Sequence, residues 1–193
     1  MARTKEFAPD SALDAALELF WERGYAATSI ADLVEHLGIA RASLYSTFGD
    51  KHALYLRALE KYCERRAPEL LDQMSRPGPV LPAVRALIER YAGESASEQG
   101  RRGCFVANTA VELAPHDREA AHRVQKDWLF LETVIGSALA RAQAQGELAA
   151  DKDPQALARF LVTLMQGMRV TGKADPDPAR LRAAAQQALL LLD

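Results

Sequence analysis

Long apolar runs and cysteines are both scarce in this chain of 193 residues. No uninterrupted apolar stretch approaches the ~18 residues that a membrane-spanning helix needs. The two cysteines, Cys63 and Cys104, are too few for a disulfide framework and fit a reducing compartment. The N-terminus also lacks the apolar core of a signal peptide, because Glu6, Asp10 and Asp14 interrupt it. We therefore expect a soluble, cytoplasmic protein without a membrane partner.

An excess of positive charge is also lacking. The net charge is −2, and residues 1–60 hold six Lys or Arg against nine Asp or Glu, so composition gives no support for nucleic-acid binding. The distribution is more informative. Acidic residues recur every four positions on one face of the first predicted helix, at Asp10, Asp14, Glu18 and Glu22. Arg41 and Lys51, by contrast, lie in a stretch with a single acid, which is compatible with a local positive edge.

Alternation of apolar and polar residues, the signature of β-strands, is missing as well. Apolar residues instead recur at helical spacing between Gly and Pro breakers, which predicts an all-α fold of one or two domains with about nine helices. Pro68 is expected to kink the fourth helix or end it early. The predicted helices are 10–23, 28–37, 40–47, 50–74, 80–97, 104–114, 117–145, 154–172 and 178–192.

Residues 28–51, TSIADLVEHLGIARASLYSTFGDK, have the pattern of a helix-turn-helix. Gly38 permits the positive φ of a tight turn, and Ile39 fills the corner between the two helices. The first helix is predicted to pack through an apolar face formed by Ile30, Ala31, Val34 and Leu37. The second helix is predicted to pack through Leu44 and Phe48.

The second helix of this pattern is the candidate recognition helix, because its remaining side chains can reach base edges or phosphates. Thr28 is placed to cap the preceding helix and to present that helix end to a phosphate, with Ser29 and Asp32 as an alternative capping pair. Lys51 could neutralise another phosphate. The predicted DNA-facing side chains of the helix are Arg41, Ala42, Ser43, Tyr45 and Ser46. A packed αα-hairpin without DNA contact remains the alternative from spacing alone.

From Ala16 to Leu54 the sequence resembles the signature of the TetR family of transcription regulators. The matching elements are ALELF, Gly24, Thr28, IADL, LGI, SLYSTFGDK and Leu54. The resemblance implies a three-helix DNA-binding domain (residues 1–50) joined by a long helix to an effector-binding and dimerisation domain (residues 51–193). It also implies a homodimer that represses from a palindromic operator and is released by a small-molecule effector. By position, it carries the DNA-facing role to Thr28, Arg41, Ala42, Ser43, Tyr45, Ser46 and Lys51.

Departures from the family pattern bear on the operator sequence. Ala40 stands where the family often has a capping Ser or Thr, Ala42 replaces a frequent Gly, and Ser46 with Thr47 replaces the common His-bearing pair. No motif of an enzyme or of a nucleotide cofactor is present, so neither catalysis nor a cofactor is expected. His116 and His122 are six residues apart, which is not metal-ligand spacing on a helix, so no metal site is expected.

Cys104 is the most distinctive residue of the C-terminal part. It follows Arg101 and Arg102 and is predicted in the first turn of a helix, where cations and the helix N-terminus would favour a thiolate. The segment also resembles TetR-family members with a Gly-Cys step here, some of which respond to reactive electrophiles. The sequence leaves two interpretations open, a thiol sensor and an ordinary core thiol. Cys63 is expected to be structural.

An effector pocket is expected among apolar residues and a few polar groups on facing helices. Asn108 is the most informative polar candidate, because a buried amide needs a partner or a ligand. Arg169 could meet an acidic effector, or it could be solvated or at an interface. Besides Cys104, the candidates are Phe105, Asn108, Val111, Glu112, Trp128, Leu131, Phe160, Leu164 and Met168.

The last two helices are apolar on several sides, more than a helix with one solvated face requires, which predicts a partner surface. In TetR-like proteins these helices pair with their copies in a four-helix bundle. The predicted interface residues are Ala156, Phe160, Thr163, Gly167, Ala184, Ala188 and Leu192.

The sequence thus favours a TetR-type repressor. Two rivals remain: a helical small-molecule-binding or thiol redox protein whose helix-turn-helix is only packing, and a thiol-dependent enzyme that uses Cys104.

Overall fold

The structure is a computed structural model that describes residues 7–193. Within that range the chain forms nine α-helices and two short 3-10 helices, with no β-strand. The α-helices are α1 (Pro9–Arg23), α2 (Ile30–Leu37), α3 (Arg41–Phe48), α4 (Lys51–Ser75), α5 (Leu81–Ser95), α6 (Phe105–Glu112), α7 (Arg118–Ala144), α8 (Pro154–Ala174) and α9 (Pro178–Leu189). The 3-10 helices are Glu98–Arg102 and Leu190–Leu192.

The all-α prediction is confirmed, with differences at particular points. Helix α4 continues through Pro68 to Ser75, so the proline does not end it early. The segment Glu98–Arg102, predicted as a break, forms a 3-10 helix. The last predicted helix ends at Leu189 and tightens into a 3-10 turn through Leu192.

Aspartate side chains begin four of the long helices, which explains why these helices start where they do. Asp50 accepts a hydrogen bond from the backbone N–H of Ala53, and Asp117 caps α7 in the same way. Asp153 and Asp177 cap α8 and α9, and each is followed by a proline at the first helical position. An Asp-Pro pair satisfies one free helical N–H and removes another, so the sequence itself marks both helix starts.

The buried apolar residues form two cores. The N-terminal core packs α1, α2 and α3 against the first half of α4, against α6 and against the start of α7. The C-terminal core joins the end of α4 to α5, α8, α9 and the rest of α7, and Trp128 packs against both cores. The long helices α4 and α7 therefore connect the two cores, and the boundary between residues 50 and 51 stays a prediction.

Candidate nucleic-acid interface and internal cavity

The first helix of the helix-turn-helix begins with a capping box. Ser29 Oγ accepts from the Asp32 backbone N–H at 3.1 Å, and Asp32 Oδ2 accepts from the Ser29 N–H at 2.7 Å. The Ser29 hydroxyl also donates to Asp32 Oδ2, at 2.5 Å, and the hydrogen bonds that Asp32 accepts from the Ser29 hydroxyl and N–H lower the pKa of Asp32. Leu33 is fully buried, whereas Ala31 is exposed, so Leu33 takes the inner position that the sequence interpretation gave to Ala31. Gly38 ends the helix at φ 62°, in the left-handed region.

The candidate recognition helix, α3, is held by buried Leu44 and Phe48. Its opposite face is open to solvent, and the predicted DNA-facing residues Arg41, Ala42, Tyr45 and Ser46 are exposed there, while Ser43 is half-buried. The Arg41 guanidinium lies 5.8 Å from the centroid of the Tyr45 ring. Ala40 precedes α3 without a side-chain cap. The helix therefore presents short polar groups, one cation and one aromatic ring to solvent.

Thr28 and Lys51 both have partners within the protein. Thr28 is fully buried and donates to the Gly24 carbonyl at 2.7 Å, because Ser29 rather than Thr28 caps α2. Lys51 Nζ donates to the carbonyls of Tyr25 and Thr28, at 2.8 Å each, and lies 4.0 Å from the centroid of the Tyr25 ring. In this structure both side chains therefore hold the loop of residues 24–28, which connects α1 to α2.

The same loop is held from the other side by α6. Glu112 accepts from the backbone N–H groups of Tyr25 and Ala26, at 3.0 and 2.7 Å. Gly24, at φ 86°, leaves room for this carboxylate, since a Cβ there would lie 3.0 Å from Glu112 Oε2. Glu112 was a candidate effector ligand. The structure shows it instead joining the C-terminal end of α6 to the loop that precedes the candidate DNA reader, the helix pair α2 and α3.

Two further contacts join α4 to the helices that follow it. His52 Nε2 lies 2.5 Å from Asp117 Oδ2 at the start of α7. The Tyr55 hydroxyl lies 2.9 Å from Thr109 Oγ1 on α6, and burial raises the pKa of Tyr55. The first turns of α4 are thus tied to both α6 and α7.

A cavity of about 450 Å³ lies between the α1–α4 side and the α5, α7 and α8 side. It includes Leu131 and Arg169 from the sequence candidates, and also residues that the sequence interpretation missed, such as Tyr62, Arg66, Tyr91 and Asp127. Eight of the predicted effector residues do not line it. Those residues are Cys104, Phe105, Asn108, Glu112, Trp128, Phe160, Leu164 and Met168.

The reasons differ from residue to residue. Phe105 and Met168 are buried in the cores. Asn108 has protein partners, because its amide donates to the Arg102 carbonyl at 2.9 Å and its oxygen accepts from Lys173 at 3.1 Å. Leu164 and Trp128 pack against the cores, and Trp128 Nε1 has no hydrogen-bond partner within residues 7–193. These apolar candidates, which were chosen because they recur at helical spacing, therefore lie in or against the cores and not in the wall of the cavity.

Cys104 adjoins the cavity rather than lining it. It is the N-cap of α6, one residue before the predicted first turn, and it is 2% exposed. The predicted cations are elsewhere, since Arg102 pairs with Glu18 and Arg101 with Glu98. The thiol instead accepts from the Tyr62 hydroxyl at 3.6 Å and from Arg66 at 3.9 Å. Burial, with a further contribution from Asp127, raises the pKa of Cys63.

Helix α8 has an outward stripe that agrees with four of the predicted interface residues. Ala156, Phe160, Thr163 and Gly167 are all exposed, and Phe160 is 43% exposed, which also removes it from the cavity. On α9 and in the 3-10 helix after it the prediction needs correction, because Ala188 and Leu192 are buried within the protomer and Ala184 is half-buried. Those residues pack into the C-terminal core, whereas Leu190 and Leu191 are exposed.

The missed cavity residues had a signal in the sequence. Arg66 stands four residues after Tyr62 and four before the buried Leu70, so it falls on the apolar face of α4. Asp127 falls between the buried Val124 and Leu131 on α7 in the same manner. An ionisable residue on a buried helix face is a candidate for a functional site.

No metal centre is visible in the part of the chain that the structure describes, since no three metal-ligating side chains come together there. None of its helices is both long and apolar enough to cross a membrane.

Comparisons with known proteins agree with this geometry. Residues 12–58 match the family described as bacterial regulatory proteins, tetR family, and residues 80–188 match the tetracyclin repressor-like C-terminal domain. The chain is 36% identical over 194 residues to the uncharacterized HTH-type transcriptional regulator YezE of Bacillus subtilis, with 100% of each chain covered. It is 32% identical to the HTH-type transcriptional repressor ComR of Escherichia coli, covering 98% of this chain and 90% of ComR.

Among solved structures, a cysteine-substituted form of the TetR family transcriptional regulator CifR, complexed with 26-bp double-strand operator DNA, matches with a TM-score of 0.84. The two are 30% identical, and the match covers 97% of this chain and 98% of CifR.

Proposed function

The chain belongs to the TetR family and is a DNA-binding transcriptional regulator, and from that premise we propose that it represses transcription by binding a palindromic operator through α3. In this proposal, an effector bound in the C-terminal part releases the protein from the operator. The observation that carries this proposal is the open face of α3, with Arg41, Tyr45 and Ser46 exposed on a helix whose other side is anchored. A helix of this kind fits the major groove. Such a regulator acts where the DNA is, in the cytoplasm, and needs no catalytic activity.

Lys51 and Thr28 take a different role in this proposal from the one that the resemblance implied. Because both hold the loop of residues 24–28, they position α2 and α3 rather than contact phosphates. Ser29 and Asp32 at the start of α2 remain exposed or half-exposed, so the N-terminus of α2 is the better candidate for a backbone phosphate contact.

Release by an effector needs a connection between the cavity and the reader, and α6 supplies one. Its N-cap, Cys104, contacts Tyr62 and Arg66, which line the cavity, and its last residue, Glu112, holds the loop before α2. A shift of α6 by an effector would therefore move that loop. The ligand changes operator affinity only insofar as it favours one position of α6 over the other.

Dimerisation would place two readers on successive major grooves. Proteins of this family act as homodimers, and we assign the interface to the outward stripe of α8, from Ala156 to Gly167, with the exposed Leu190 and Leu191 of the 3-10 helix after α9. Ala184, Ala188 and Leu192 contribute to the protomer core instead.

The test is a gel shift of the purified protein with the intergenic DNA upstream of its own gene, together with footprinting. We expect a protected palindrome, a salt-sensitive complex, and loss of binding in Arg41→Ala and Tyr45→Ala variants. Arg76→Ala is the matched control, because Arg76 is exposed at the far end of α4 and pairs only with Asp72 among the described residues. A protein that binds no operator at any salt concentration would refute the proposal.

A thiol-reactive effector remains a separate proposal for the same site. Since Cys104 is almost completely buried, modification would require α6 to move away from Tyr62 and Arg66. The test compares operator release by oxidants and electrophiles in the wild type and in Cys104→Ser. Release that persists in the variant would remove Cys104 from any sensing role.

A further inference from the structure

The charged side chains around the cavity form salt bridges, with two exceptions. Arg90 pairs with Glu69, Arg169 with Glu94, and Arg65 with Asp14, while Glu18 accepts from Arg102. Arg66 and Asp127 take part in no salt bridge within 4.0 Å among residues 7–193, either with each other or with another side chain. The cavity therefore has one unmatched cation and one unmatched carboxyl, on α4 and on α7.

Arg66 is held in place by uncharged partners. It donates to the Tyr91 hydroxyl at 2.5 Å and to Cys104 Sγ at 3.9 Å, and it lies 5.0 Å from the centroid of the Tyr62 ring. A guanidinium has five N–H donors in a planar fork that matches a carboxylate. Three neutral contacts fix the orientation of this fork without neutralising its charge.

Asp127 is the complementary group. It is 8% exposed, it lines the cavity, and its Oδ2 atom has no hydrogen-bond partner in the described chain. A buried oxygen without a donor is costly, and in native structures such an atom commonly marks a functional position. A donor supplied by a ligand would remove that cost.

We propose that the cavity binds a small organic acid that also carries a hydroxyl or amino group, with the ligand carboxylate on Arg66 and the hydroxyl or amino donor on Asp127. This assignment rests on the proposed function, because it names the effector class of a ligand-released regulator. The apolar part of the ligand lies against Leu17, Leu70, Leu87, Phe130 and Leu131, which also line the cavity. A volume of about 450 Å³ suits a molecule of this size class.

The tyrosines give the site its selectivity for shape. The Arg66 guanidinium lies 5.0 Å from the centroid of the Tyr62 ring. The Arg169 guanidinium lies 4.5 Å from the centroid of the Tyr91 ring. Two guanidinium groups stacked on tyrosine rings thus line the cavity, and Asp127 and Phe130 line it from α7. A ligand that offers only a carboxylate, or only a donor, leaves one of the two unmatched groups unsatisfied.

The experiment is isothermal titration calorimetry of the full chain with two matched series of probes that differ in their apolar group. The first series is 3-phenyllactate, phenylalanine, 3-phenylpropanoate, which lacks the donor, and 3-phenyllactamide, which lacks the charge. The second series carries the same polar groups on a hexanoate chain. We expect the hydroxy or amino acid to bind at least about tenfold more tightly than either truncated probe, since each loses a charge-assisted hydrogen bond. The hydroxyl and amino arms distinguish the two donors.

Variants assign the contacts. Arg66→Met abolishes the preference for the acid over its amide, and Arg66→Lys restores part of it. Asp127→Leu, which removes the acceptor at similar volume, abolishes the preference for the hydroxy or amino acid over 3-phenylpropanoate. Arg76→Met is the control, because Arg76 lies outside the cavity and pairs with Asp72, and binding stays within about threefold. Circular dichroism and operator binding without ligand establish that each variant is folded.

The result that overturns the assignment is equal binding of the acid and its amide, equal binding with and without the donor, or no binding of any acid in either set. Operator binding in the absence of ligand is measured on the same samples. A protein that binds operator but no acid refutes this inference alone, whereas a protein that binds no operator refutes the proposed function.

Discussion

Substituting Lys51 with methionine separates a loop-holding role from a phosphate contact. The change keeps the length of the side chain and removes its charge. Lys51 Nζ makes two hydrogen bonds to backbone carbonyls, at 2.8 Å each, and lies 4.0 Å from the centroid of the Tyr25 ring. Allowing about 1 kcal/mol for each hydrogen bond at this partly exposed site and 0.5–1 kcal/mol for the ring contact, we expect the free energy of unfolding to fall by about 2–3 kcal/mol.

Two assays on the same protein give the answer. Urea unfolding measures the loss of stability, and operator binding at several salt concentrations counts the phosphate contacts. A lysine on a phosphate contributes about 0.9 to the slope of log K against log salt. We expect Lys51→Met to weaken operator binding with an unchanged slope, because the loop of residues 24–28 no longer positions α2 and α3.

Arg41→Gln is the matched comparison, since Arg41 is exposed on α3. It should leave the free energy of unfolding within about 0.5 kcal/mol of the wild type. If Arg41 contacts a phosphate, the salt slope should fall by about one. The reasoning about Lys51 would be refuted by a methionine variant of wild-type stability whose salt slope has fallen by about one.

Three further changes test other parts of the structure. Gly38→Ala should cost roughly 1 kcal/mol in urea unfolding, because φ 62° strains an L-residue although the site is open, and Gly38→Asn should cost less. Phe160→Arg should yield monomers in analytical ultracentrifugation, whereas Val111→Arg, at an exposed position of α6, should not. Dimers in both variants would contradict the α8 interface. Hydrogen bonds from Ala120 and His52 lower the pKa of Asp117 below its ordinary value of 3.8, so its stabilising contribution is present above pH 3.8 and is lost as pH falls further. Asp117→Asn should therefore unfold with a shallower dependence on acid pH, and an unchanged dependence would contradict that role.

Helix positions were largely predictable because their ends carry local signals. The Asp-Pro pairs at residues 153–154 and 177–178 and the glycine at residue 38 act within one turn of the chain. The sequence also allowed the inner position of α2 to be assigned to Leu33 instead of Ala31, since Ile30, Leu33, Val34 and Leu37 follow the i, i+3, i+4, i+7 pattern.

Contacts between distant helices were not predictable, because no local rule fixes how two helices dock. Glu112 reaches a loop 86 residues earlier, and Arg66 meets Cys104 across 38 residues. The same limit explains the error on α9. Its sequence is apolar on several sides, and only the packing against α5 and the C-terminal core decides that Ala188 and Leu192 face inward.

The acidic stripe of α1 shows how an acidic chain can still present a reader to DNA. Asp10 and Asp14 both pair with Lys61, Asp14 also pairs with Arg65, and Glu18 accepts from Arg102. Three of the four acids on that face are therefore used to join α1 to α4 and to the 3-10 helix before α6. Because their charges are matched locally, they contribute little to the field beyond about 10 Å at ordinary salt. The open face of α3 carries Arg41 and no acidic residue, so the sign of its potential is set by nearby groups and not by the net charge of −2.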